Sequence, residues 1–69
     1  MNSIMQDPPG AFLTPQEVSE LLRVSVYTVR RWINDGSLPA YKVGRAWRIQ
    51  RGELENWILR QRLSPQVSR

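Results

Sequence analysis

Between Ser25 and Asn34 the chain reads SVYTVRRWIN, and its polar members are of the kinds that hydrogen-bond to base edges and phosphates. At about 100° per residue, Val29, Trp32 and Ile33 centre on one side of a helix. Tyr27, Arg31 and Asn34 lie opposite, with Thr28 and Arg30 on the flanks. A guanidinium pairs bidentately with guanine, an amide pairs with adenine, and hydroxyls meet phosphate oxygens. The first residues of a groove-reading helix go in deepest. Ser25, Val26, Tyr27, Thr28, Arg30 and Arg31 are therefore the candidate contacts. A second basic group follows, with Lys42, Arg45 and Arg48 around the Gly44-Arg45 pair. A basic two-stranded loop beside such a helix reaches backbone phosphates or the adjacent minor groove, where narrow A·T tracts attract arginine. Arg45, at the tip, is the leading candidate there. Arg51 has a local partner in Glu55 one helical turn on, so an ion pair is its expected role.

Residues for covalent or metal chemistry are missing. The chain has no His and no Cys, so it lacks a histidine base, a thiolate nucleophile, disulfides and the ordinary zinc ligands. No glycine-rich phosphate loop and no spaced carboxylate pair is evident. A non-enzymatic chain without a cofactor is expected. The net charge is +4, every Lys and Arg lies beyond Thr14, and Asp7 is the one acid before it. This balance favours a polyanionic partner, either nucleic acid or an anionic membrane surface. No apolar run nears the ~18 residues of a membrane span, and the N-terminus lacks the apolar stretch of a signal peptide. The expected partner is double-stranded DNA, with no membrane, and the lack of cysteine fits a cytoplasmic setting.

Three helices and one hairpin must hold these groups in place. Thr14-Pro15-Gln16-Glu17 is a capping box with proline at the first helical position, and Val18, Leu21 and Leu22 continue it as an apolar stripe. Ser25 is a good N-cap for a second helix, and Gly36 stands where a left-handed C-terminal residue is wanted. Leu13 with Val18, and Val24 with Val29, have hydrophobic-staple spacing at the two helix starts. Two short helices joined by about three residues make a helix-turn-helix. Tyr41 and Val43 then share one face of a hairpin, as do Trp47 and Ile49, and Lys42 and Arg48 are expected to point the other way. A third helix runs from about Arg51 to Arg62 on a stripe of Leu54, Trp57 and Ile58. Gln50 is a poor N-cap for it, and Glu53 occupies the capping-box acid position.

Trp32, Trp47 and Trp57 are read as core, because each sits on an apolar stripe or face. With 69 residues the chain makes one small domain, and these rings supply much of what it can bury. The expected organisation is a flexible arm at 1–12, a folded domain at 13–63 and a flexible tail at 64–69. The fold class is mainly α with a small β-hairpin: a winged helix-turn-helix whose two-stranded wing lies between helices two and three.

Leu13-Thr14-Pro15-Gln16-Glu17-Val18, then Val24 through Ile33, Gly36 through Ala40, Val43-Gly44-Arg45, Trp47-Arg48-Ile49, Leu54 and Trp57 resemble the excisionase-type helix-turn-helix domains of the wider MerR-like winged-helix group. The resemblance runs from about Leu13 to Leu59. It implies a bacterial or phage, nucleoid-associated protein with the 25–35 helix in the major groove and the 40–49 hairpin as wing. It further implies that Thr28, Arg30 and Arg31 are recognition-helix contacts and that Arg45 and Arg48 form the basic wing. Two roles follow as expectations: a small transcription regulator, or an excisionase-like accessory factor in DNA recombination. A domain this small covers few base pairs, so self-association on adjacent sites, or a recombinase or polymerase partner, is expected. A protein-interaction adaptor built on the same fold is the competing reading.

Overall fold

The computed structural model describes residues 10–63, with side chains to residue 61. Its elements in chain order are β1 (Phe12–Leu13), α1 (Pro15–Leu22), α2 (Val26–Asn34), β2 (Tyr41–Val43), β3 (Ala46–Gln50) and α3 (Arg51–Leu63). The three helices and the hairpin between α2 and α3 form a winged helix-turn-helix, as the sequence predicts. The tail at 64–69 and most of the expected arm lie outside the described residues.

Local chemistry sets the first two helices. Thr14 is extended, its Oγ1 accepts the Glu17 N–H at 3.0 Å, and its own N–H donates to Glu17 Oε1 at 2.9 Å. The capping box is complete, and two of the orphan donors at the helix start are satisfied. Helix α1 ends at Arg23, which takes a left-handed φ of 60°. That conformation usually falls to glycine, and no sequence signal marks it here. Ser25 then caps α2 by accepting the Thr28 N–H at 3.1 Å. Three residues therefore separate α1 from α2. Gly36 has φ 81° past the end of α2, as expected. Beyond it, the N–H groups of Ser37 and Leu38 both donate back to Trp32 O, at 2.9 and 3.2 Å. This fold-back drops Leu38 into the core.

The sheet has one strand more than the sequence suggested. Strand β1 pairs antiparallel with β3, Phe12 opposite Gln50 and Leu13 opposite Ile49, and the strand order is β1-β3-β2. Phe12, assigned to the arm, is therefore part of the folded body. The preceding Ala11 carbonyl accepts the Arg51 N–H at 2.9 Å. A backbone carbonyl thus serves one of the open donors at the start of α3, where Gln50 offers no cap. Glu53 does not complete a capping box, and its carboxylate turns to the wing instead.

The hairpin register corrects one expectation. Tyr41 lies opposite Arg48, Lys42 opposite Trp47 and Val43 opposite Ala46. Directly opposed residues share a face. Lys42 therefore lies with Trp47, and Arg48 lies on the other face with Tyr41, so the two cations do not share an outer face. The turn has two residues, and only Gly44 has positive φ, at 64°, as a type II′ hairpin requires.

Every element but β2 contributes to the buried core. Leu13, Val18, Val29, Ile33, Leu38, Ile49, Leu54 and Trp57 form one cluster. Trp32 and Trp47 pack against it, half-buried, and the Trp32 and Trp57 ring centroids are 5.1 Å apart. All three residues of β2 are exposed. Among the described residues, no helix is long and apolar enough to cross a membrane.

Candidate nucleic-acid interface

Helix α2 buries Val29 and Ile33 and half-buries Trp32. The opposite side is open. Ser25, Tyr27, Arg30, Arg31 and Asn34 are all exposed, Tyr27 at 75%. The Arg30 and Arg31 side chains make no hydrogen bond or ion pair among the described residues. The helix itself carries no acid, so nothing on it neutralises them. Two unpaired guanidiniums on successive positions concentrate positive potential on this face.

The remaining predicted α2 contacts stand differently. Val26 and Thr28 are half-buried. The Thr28 hydroxyl lies 3.0 Å from the Ser25 hydroxyl, and its backbone N–H goes to the same oxygen. Ser25 and Thr28 thus hold the helix start together. Asn34 extends the exposed stripe by a turn beyond Arg30 and Arg31.

In the wing, the three predicted cations separate by environment. The Lys42 ammonium sits 4.7 Å from the centroid of the Trp47 ring, a cation–π contact. Arg48 is half-buried and donates from Nη1 to the Trp47 carbonyl at 2.9 Å. Arg45, in the turn, is exposed and has no partner among the described residues. Of the three, Arg45 alone is both unpartnered and fully presented. Arg51 takes the expected local role, with its Nη2 2.9 Å from Glu55 Oε2.

Tyr41, on the hairpin face it shares with Val43, has specific surroundings. Its hydroxyl donates to Glu53 Oε2 at 2.9 Å, and the Phe12 ring meets it edge-on at 5.8 Å. The hydrogen bond to Glu53, and next the charge of that carboxylate, raise the phenol above its ordinary value of 10.0. Pairing across twelve positions of sequence leaves no local pattern, so no periodicity could have revealed it.

Comparison with known proteins bears on this surface. A family model described as a helix-turn-helix domain matches residues 12–62. A Mycobacterium tuberculosis (strain CDC 1551 / Oshkosh) protein named "Putative DNA-binding protein MT0521" is 51% identical over 44 residues, 64% of this chain and 56% of that protein. A protein of strain ATCC 25618 / H37Rv, "Putative DNA-binding protein Rv0500A", matches to the same extent. In Bacillus subtilis (strain 168), "Uncharacterized protein YvgK" is 40% identical over 55 residues, covering 80% of this chain and 18% of that protein. The chain thus spans about half or less of the length of these relatives. No solved structure gives a significant match. The matched span covers every described strand and helix but for the last residue of α3, and both the α2 face and the wing, and on that ground the chain belongs to the helix-turn-helix domain family.

Proposed function

We propose that this chain binds double-stranded DNA, with α2 in the major groove and the wing on the adjacent backbone or minor groove. The observation that carries the reading is the pair of exposed, unpartnered guanidiniums of Arg30 and Arg31, opposite the buried Val29 and Ile33 of a capped second helix. The named DNA-binding relatives in Mycobacterium tuberculosis support it. Ser25, Tyr27, Thr28, Arg30 and Arg31 form the helix surface, with Val26 at its margin. Arg45 leads the wing, and Lys42 and Arg48 add charge from its two faces. The role is that of a small transcription regulator or an excisionase-like recombination accessory factor of the MerR-like group, cytoplasmic and nucleoid-associated. It acts by occupying or bending a short site, without catalysis. Binding of labelled duplex across a salt series tests this. Affinity is expected to fall linearly on logarithmic axes, with a slope of about −0.9 per neutralised phosphate. Salt-independent binding, or equal losses for Arg31→Ala and a remote surface variant, would sink the reading.

A second reading rests on a different observation. Leu21 and Leu22 of α1 and Leu54 and Ile58 of α3 line an apolar groove with the Arg51–Glu55 pair at its edge. An adaptor would dock a protein there. The triple variant Arg30→Ala, Arg31→Ala, Arg45→Ala separates the two: retained cellular activity without DNA binding favours the adaptor.

A further inference from the structure

Strand β2 is the least anchored element of the fold. It is three residues long, exposed at each of them, and paired on one side only. No β2 residue joins the core cluster. Apart from the ladder to β3, two side chains tie it down. Lys42 lies over Trp47, but Trp47 belongs to β3, so that contact stays within the hairpin. Among the described side chains of β2, Tyr41 is the one that reaches elements outside the hairpin, which β3 already ties to β1 and the core: its hydroxyl meets Glu53 on α3, and its ring meets Phe12 on β1.

We infer that the Tyr41–Glu53 hydrogen bond is a positioning device that sets the angle of the wing, and hence the reach of Arg45 to the nucleic-acid backbone. The inference rests on the DNA-binding reading above and adds two positioning residues to it. Neither need touch DNA. Geometry gives the lever. The turn begins three residues beyond Tyr41, roughly 10 Å at ~3.4 Å per residue. A tilt of ~10° about Tyr41 would therefore move the tip by about 2 Å, which exceeds the tolerance of a charge-assisted hydrogen bond.

The chemistry of Glu53 supports the same assignment. Its Oε1 is buried without a hydrogen-bond partner among the described residues, and its Oε2 accepts the tyrosine hydroxyl in an exposed hydrogen bond. A carboxylate with one oxygen unserved gains from keeping the donor on the other. The same glutamate stands at the capping-box position of α3 and is not used as a cap, which leaves its carboxylate free to face the wing.

The test is a double-mutant cycle in DNA affinity on the full chain, using a fluorescein-labelled mixed-sequence duplex over a salt series. Arg45→Ala should weaken binding and flatten the salt slope by about 0.9 for one lost phosphate. Tyr41→Phe should reproduce most of that loss and the same flattening, while leaving the ring contact with Phe12. Combined with Arg45→Ala it should cost nothing more. Glu53→Ala should behave as Tyr41→Phe does, whereas Glu53→Gln, whose amide oxygen still accepts the phenol, should retain both affinity and slope. Circular dichroism at the binding temperature checks that each variant is folded, and Glu53→Gln carries the comparison if Glu53→Ala is not. Additive losses, an unchanged slope in Tyr41→Phe, or a Glu53→Gln variant that loses the slope would overturn the positioning role while leaving DNA binding intact. If the unsubstituted chain shows no salt-dependent binding, the DNA reading itself fails and takes this one with it.

Discussion

Arg30, Arg31 and Arg45 share one property that separates them from the other three basic residues of the candidate surface and α3 start: their side chains are exposed and unpaired among the described residues. Lys42, Arg48 and Arg51 spend part of their charge on Trp47, on a backbone carbonyl and on Glu55. A partnered cation must give up its existing contact before it binds phosphate, so its net contribution is smaller. Arg31→Ala should therefore weaken duplex binding by about 1–3 kcal/mol if it reads a base, with a sequence-dependent loss. If it holds phosphate, the loss should be uniform across sequences and the salt slope should drop by about 0.9. Lys42→Ala should cost less than either free arginine, and an equal or larger loss would contradict the partner argument. Tyr41 supplies a pH test. Its folded-state value is raised because the neutral phenol donates to Glu53. The contribution to stability is complete below 10.0, the unfolded value, and disappears as pH climbs through the raised folded value. Thermal melts of the natural chain and Tyr41→Phe should differ at neutral pH and converge in strong alkali. A gap that persists there would show that the hydrogen bond is not its source.

At the scale of elements, the helix boundaries are chemical and the strand boundaries are not. Thr14 and Ser25 each satisfy an orphan N–H of the helix that follows. Thr14→Ala should cost about 1 kcal/mol, which lowers the melting temperature by roughly 4–8 °C in a domain of this size. Arg23 works against its own backbone. Its left-handed φ of 60° crowds Cβ against the chain, a strain of about 1 kcal/mol that glycine does not feel. Arg23→Gly should raise the melting temperature by a similar margin, and a decrease would mean that the arginine side chain makes up for its conformation. These caps were legible from residue types because their partners lie three positions away. The pairing of Phe12 with Gln50 was not, since a two-residue strand has no alternation to read and Pro8-Pro9-Gly10 just before it argues against regular structure. The misassigned faces of Lys42 and Arg48 have a simpler origin. A two-residue turn places residues 42 and 47 opposite one another, and that parity was available once the turn was fixed at Gly44-Arg45.

The whole molecule holds these parts on eight buried apolar residues. A domain of this length has roughly 0.05–0.15 kcal/mol of stability per residue. Truncating a fully buried leucine costs about 2–5 kcal/mol, comparable with the total. Leu38 is the sharpest case. It lies between α2 and the wing, is 1% exposed, and is pinned by its own N–H to Trp32 O. Leu38→Ala should abolish the cooperative thermal transition near room temperature, and a melt within a few degrees of the natural chain would refute its anchoring role. Trp57 is equally central, yet its indole N–H is buried without a partner. Trp57→Phe should therefore cost much less than Trp57→Ala, because it removes an unsatisfied donor while keeping an aromatic ring in the core.

Local order was written in the sequence. Caps, apolar stripes and the glycine turn involve neighbours a few residues apart, so residue type and spacing are enough to specify three helices, one hairpin and an arginine-bearing helix side. Tertiary structure alone decided the rest: a strand made by Phe12, the division of three wing cations into one free and two engaged, and the reach of Tyr41 to Glu53. Each of these depends on which distant atoms meet when the core closes, and spacing along the chain carries no record of that.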